Sequence, residues 1–99
     1  AAFAANMPVV STAFRLLRGE DLLREHRASP GKRRVFCGAC GSPIFSQRDD
    51  TPEVKRLRVG SLDGDGAALT PGFHIQTASK AAWWPIPDGL PAWPGEAPD

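Results

Sequence analysis

Cys37 and Cys40 are the chain's two cysteines, and their spacing is the strongest constraint on what it can fold into. Two intervening residues let one tight turn aim both sulfurs at a single cation. Structural zinc takes four such ligands, thiolate or imidazole, in a tetrahedron. The pair stands between two short apolar runs, Val35-Phe36 before it and Ile44-Phe45 after it. The chain therefore carries half of a metal site where two strands would meet. Gly38 and Gly41 suit the tight turn of such a knuckle, through positive φ. Lys32, Arg33 and Arg34 just upstream would favour deprotonated thiols.

Two other meanings of Cys-x-x-Cys compete. A thioredoxin-type redox pair needs the first Cys at a helix N-terminus that lowers its pKa. Here Gly41, Ser42 and Pro43 follow, then the extended-favouring Ile44-Phe45, which disfavours a helix. Two free thiols can also simply pack in a core. The zinc reading is the best of the three. Either His26 or His74 could complete the site, but His26 sits between Arg24 and Arg27 and reads as exposed. His74 in an apolar run reads as a hydrogen-bonded core residue.

Ten prolines and ten glycines in 99 residues predict short elements joined by many turns. Residues 3–10 read as a strand, with Pro8 marking an edge or bulge. Residues 11–27 fit either a helical stripe (Phe14, Leu16, Leu17, Leu22, Leu23) capped by Ser11 or Thr12, or two strands joined at Gly19-Glu20-Asp21. Residues 33–36, 43–47, 54–62 and 72–77 read as strands, and residues 60–66 as a glycine-rich loop. From Trp83 onward Pro and Trp dominate, predicting an irregular tail packed by aromatic burial. Asp63-Gly64-Asp65-Gly66 opens like a calcium loop but lacks the closing Glu. It and Asp49-Asp50 read as plain turns, and Trp83, Trp84 and Trp93 as packing residues.

A chain this long forms at most one domain. Its net charge of +1 demands neither nucleic acid nor membrane. Residues 1–34 nevertheless carry seven basic and three acidic groups, a cluster (Arg15, Arg18, Arg24, Arg27, Lys32, Arg33, Arg34) that could favour an anionic ligand. No apolar run approaches the roughly 20 residues of a membrane span, and Ala1-Ala2-Phe3-Ala4-Ala5-Asn6 lacks the basic start of a signal peptide. Two cysteines are too few for a secreted disulfide scaffold, so a cytoplasmic location is expected.

The run from Lys32 through Cys37-Gly38-Ala39-Cys40-Gly41-Ser42-Pro43 to Phe45 resembles the glutathione-dependent formaldehyde-activating enzyme family, which also includes centromere protein V. So do Val59-Gly60-Ser61-Leu62-Asp63, His74 with Ser79-Lys80, Trp83, and Asp88-Gly89-Leu90-Pro91, in the family's order. Ala82 departs from the proline usual before that tryptophan.

The resemblance implies a mostly β fold: a small twisted β-sandwich of short antiparallel strands tied by a zinc knuckle, with residues 11–27 as strands. It implies that Cys37 and Cys40 are the later pair of a four-cysteine structural zinc site. The earlier Cys-x-Cys pair, and a Cys-His-Cys-x-x-Cys segment for a catalytic zinc, would lie just before the stretch that residues 1–6 resemble. None of those five cysteines is in this sequence, so residues 1–99 are expected to be a single domain lacking an N-terminal segment with the remaining ligands. No residue here takes a catalytic or cofactor-binding role, and the 99 residues alone are expected to be inert. The implied activity of the parent protein is that of a zinc-dependent carbon–sulfur lyase on adducts of a small aldehyde and a thiol such as glutathione. The alternative is a non-catalytic, zinc-stabilised binding module with nucleic acid as its candidate ligand, although a nucleic-acid partner is not the favoured expectation.

Overall fold

The computed structural model describes residues 2–66 and 68–98. The first residue of the family-like stretch, Ala1, lies outside them. The chain divides into two units, one of residues 5–64 and one of residues 1–4 with 65–99.

The first unit is built on five strands, β1 (Asn6–Val10), β2 (Leu23–His26), β3 (Lys32–Cys37), β4 (Pro43–Arg48) and β5 (Val54–Arg58). They form one antiparallel sheet in the order β1-β5-β4-β3-β2. The mostly β, short-stranded expectation is met, with all five strands in a single sheet. Strands β2 to β5 form a meander, and β1 closes the far edge beside β5. Pro8, which has no N–H to give a ladder, sits on that edge strand, as the sequence predicts. At the opposite edge β2 carries Arg24, Glu25 and His26, charged or polar groups that discourage further strand pairing.

Residues 11–22 link one edge strand to the other, so they must cross the sheet. No α-helix forms there; instead single 3-10 turns occur at Ser11–Ala13 and Glu20–Leu22. Of the strands implied for residues 11–27, only β2 forms. Gly19, at φ 83°, starts the second turn in a conformation that breaks any helical stripe.

Cross-strand partners share a face of a sheet, and neighbours along a strand alternate. The row Met7–Leu57–Phe45–Val35–Glu25 therefore marks one face. Residues 11–22 cover it: Phe14 meets Phe45 edge-on with ring centroids 5.3 Å apart. Val35 and Phe45 are the buried hydrophobic residues of this core, and Gln47 is buried beside them. Gln47 Oε1 accepts from Arg33 Nε and Nη2 at 3.0 and 2.6 Å, and Gln47 Nε2 donates to the Pro52 carbonyl at 2.7 Å. Ser11, at the start of the crossing segment, donates to the same carbonyl at 2.6 Å.

Among the described residues of the second unit there is no long ladder. The strand expected at residues 72–77 does not form; His74 makes one isolated parallel bridge with Ala92. His74 N–H donates to Pro91 O and Trp93 N–H to His74 O, at 2.8 and 2.9 Å. Pro85, Pro87, Pro91 and Pro94 remove donors from the returning segment, which limits the pairing to that short stitch. Residues 83–98 are irregular, as expected. Trp84 and Trp93 are half-buried, whereas Trp83 is exposed, so aromatic burial in the tail falls to two of the three tryptophans.

Candidate functional site

The knuckle is the loop of the β3–β4 hairpin. Cys37 ends β3, where its N–H donates to Ser42 O at 2.9 Å and its carbonyl accepts from Gly41 N–H at 2.7 Å. Gly41 takes φ 80°, the left-handed turn that glycine accepts without strain. Gly38 has a different reason for being glycine, because its φ is not positive. A Cβ there would come within 2.9 Å of both the Leu22 carbonyl oxygen and Arg24 Cγ. Its N–H donates to that same carbonyl at 2.7 Å, tying the knuckle to the end of the crossing segment. One register shift between Val35 and Phe36 adjusts β3 against β4 just before the turn.

Both cysteines are free thiols, Cys37 half-buried and Cys40 exposed. Cys40 Sγ is hydrogen-bonded to Ser42 Oγ at 3.2 Å. The Ser42 hydroxyl, then the Ser42 backbone N–H and the Cys37 thiol, hold the Cys40 thiol below its ordinary pKa. The element after Cys40 is strand β4, not a helix, so the dipole that activates a thioredoxin-type pair is missing.

The donor set fits two of the four positions of a structural zinc. Among the described residues, no group of three or more His, Cys, Asp or Glu side chains could hold a metal ion. His26 does not join the thiols: it pairs with Arg34, three residues along β2 from Leu23, the partner of Cys37. That is roughly 10 Å along the strand. His74 lies in the other unit, with Nε2 2.8 Å from Asp88 Oδ2, the hydrogen-bonded state expected of it. Asp49 and Asp50 are ion-paired to Arg27 and Arg48. Residues 62–64 form a bend, with Gly64 at φ 94° and Gly66 at φ 69°, in keeping with a plain turn.

The sheet face opposite the core gathers Arg24, Lys32 and Arg34 of the basic cluster expected from the sequence together with Arg48, Arg56 and Arg58, which lie outside that cluster. Its central row is Pro8–Arg56–Ser46–Arg34–His26, one residue from each strand. Arg24, Lys32, Arg48 and Arg58 share this face by alternation. The five strands contain one acidic residue, Glu25, and it lies on the other face. The signal was present in the i, i+2 spacing of Lys32 and Arg34 and of Arg56 and Arg58. It becomes a patch only once the register places β3 and β5 either side of β4. A cleft of about 290 Å³ opens on this face, lined by His26, Arg34, Phe36, Pro43, Ser46 and Arg58 among others.

Residues 1–79, which include the whole sheet, the knuckle and the cleft, match the family described as glutathione-dependent formaldehyde-activating enzyme. The chain belongs to this family. No curated protein and no solved structure matches it. Membership in the glutathione-dependent formaldehyde-activating family suggests a glutathione-dependent, aldehyde-activating, lyase-like function. Members of the family are commonly zinc-binding, which accords with the two thiols presented here. No helix among the described residues is long and apolar enough to cross a membrane.

Proposed function

We propose that this protein acts as a carbon–sulfur lyase on adducts of a small aldehyde with a thiol such as glutathione, in the cytoplasm. The observation that carries the reading is the family match across the sheet and the knuckle. Cys37 and Cys40 would supply two thiolates to a structural zinc, with the other two donors coming from outside the described residues. Such a zinc ties elements together and contributes on the order of 10–16 kcal/mol of apparent binding energy in small zinc domains. A catalytic zinc would supply Lewis-acid chemistry at a thiol sulfur or a hydroxyl oxygen. The residues present do not fit that second metal: beyond Cys37 and Cys40 the sequence has no cysteine to hold it.

What these residues do is bind and position. The hairpin fixes both thiols at one end of β3 and β4. The cationic sheet face can hold the carboxylates of a tripeptide thiol. The 99 residues alone give no lyase activity on this reading, because two cysteines cannot supply both metal sites.

The test uses the protein as the cell makes it, with its native metal, and follows formaldehyde consumption in the presence of glutathione. An unchanged rate of adduct formation and breakdown sinks the reading. Cys37→Ser should lower bound zinc and thermal stability together. A variant that keeps its full zinc content would remove Cys37 from the metal site.

A further inference from the structure

The two faces of the sheet treat their cations differently. On the core face each has a partner: Arg33 binds Gln47 and lies 5.4 Å from the Phe45 ring centroid, and Lys55 lies 5.5 Å from the centroids of Phe14 and Phe45. The opposite face carries Arg24, Lys32, Arg34, Arg48, Arg56 and Arg58 and no acidic strand residue. Arg48 has Asp50 and Arg58 has the Asn6 side chain. Arg34 and Arg56, flanking Ser46 in the central row, meet no hydrogen-bonding or ionic partner among the described residues. Like charges gathered on one face are unfavourable, and a bound polyanion removes that penalty.

The spacing suits a chain of anions. Lys32 with Arg34, and Arg56 with Arg58, stand two residues apart, roughly 7 Å along their strands. The cations run from β2 to β5, three strand spacings or roughly 14 Å, so one small anion cannot neutralise them all. Arginine outnumbers lysine here, and guanidiniums grip phosphate oxygens through paired N–H donors. The cleft of about 290 Å³ on this face has room for one planar base. Phe36 and His26 line it, rings of the kind on which unpaired bases stack, with Ser46, Arg34 and Arg58 beside them. Two other polyanions fit less well. The five-stranded face is wider than the helix or two-stranded ribbon that a duplex major groove admits. No Trp, Phe or Leu in the five strands is exposed for insertion into a lipid surface.

We infer that this face binds single-stranded nucleic acid, with Arg34, Arg56 and Arg58 on phosphates and one base stacked on Phe36 in the cleft. Arg58 is pre-positioned for this, because its Nε donates to Asn6 Oδ1 at 3.1 Å and leaves its terminal nitrogens for a phosphate. The assignment does not rest on the thiol–aldehyde reading.

The probe is a fluorescein-labelled oligodeoxythymidine of about 12 nucleotides, within the usual range of single-strand site sizes. Its anisotropy is followed as the native protein, with its metal, is titrated in; a duplex of equal length and phosphatidylserine vesicles are the parallel probes. Three phosphate contacts give a slope of log affinity against log salt of about −2, so affinity should fall roughly 20-fold between about 50 and 200 mM salt. Arg34→Gln and Arg56→Gln should each reduce that slope by about 0.7, whereas Arg34→Lys keeps it. Phe36→Leu should weaken binding about tenfold and leave the slope unchanged. Arg15→Gln, in the segment over the other face, should change neither. Arg34 is exposed and unpartnered, so its Gln variant should keep the wild-type unfolding midpoint. Absent or salt-insensitive binding, an equal loss of slope in Arg15→Gln, or duplex or vesicles bound as tightly as the single strand would each overturn the assignment. Binding by a protein that fails the formaldehyde assay removes the lyase reading and leaves this surface standing.

Discussion

Gln47→Ala tests what locks the crossing segment onto the sheet. Gln47 is 8% exposed and links three elements: it accepts twice from Arg33 on β3 and donates to Pro52 O in the turn before β5. Ser11 reaches the same carbonyl from the crossing segment. A neutral hydrogen bond contributes a net of about 1 kcal/mol, and one to a charged partner about 1.5–3. The Pro52 carbonyl keeps Ser11 after truncation, which limits that loss to about 1 kcal/mol. Arg33 keeps an anionic partner in Glu25, at 3.6 Å, so the lower figure of about 1.5 applies to it. The lost methylene adds about 0.8 kcal/mol. The total is about 3 kcal/mol. With a urea m value of about 1.5 kcal/mol per molar, the midpoint should fall by about 2 M. Urea unfolding followed by far-ultraviolet circular dichroism reads this directly. Gln47→Met, which restores bulk but no polar atoms, should recover less than half of the loss. A midpoint shift below about 0.5 M for the alanine variant refutes the network's role.

Gly38→Ala should lower Tm by roughly 5–10 °C, since its Cβ would press on the Leu22 carbonyl; Gly60→Ala, with open space around it, is the control and should change little. Leu90 N–H and then His74 hold the Asp88 carboxyl below its ordinary value near 3.8. A depressed carboxyl stabilises the fold above its unfolded value and loses that contribution as pH falls through the folded one. Tryptophan fluorescence should therefore report a loss of order below pH 4 that Asp88→Asn blunts; identical acid titrations of the two proteins would refute it. Phe45→Ala should destabilise by about 3–5 kcal/mol in the same urea assay, because the ring is buried and in contact with Phe14.

The turn chemistry was the legible part of this chain. Pro8 announced an edge strand and Cys37 to Pro43 a hairpin loop, because proline and glycine act through the local backbone alone. Residues 11–22 were not legible. Their Leu and Phe spacing fits a helix, yet they must span five strands to connect the two sheet edges, and an extended path with two 3-10 turns covers that distance. The strand expected around His74 failed for a related reason: the segment it pairs with, at Ala92, is flanked by Pro91 and Pro94, which have no N–H to give. The cationic face and the buried Gln47 both depend on register, which no window of sequence contains. The knuckle was legible as half a metal site, and the structure leaves it with the same two donors.

The order β1-β5-β4-β3-β2 also dictates a history. β1 leaves the ribosome before the other four strands, yet its partner is β5, and Asn6 must wait for Arg58, 52 residues later. Meanwhile β2 to β5 can zip by adjacent hairpins. Closing the sheet is therefore the one step with a long loop to fold over, the kind of contact that slows folding. During synthesis the nascent β1 is an unpaired, apolar-faced strand, so a chaperone that shields Asn6–Val10 should raise the yield of native protein more than one acting on β2 to β5.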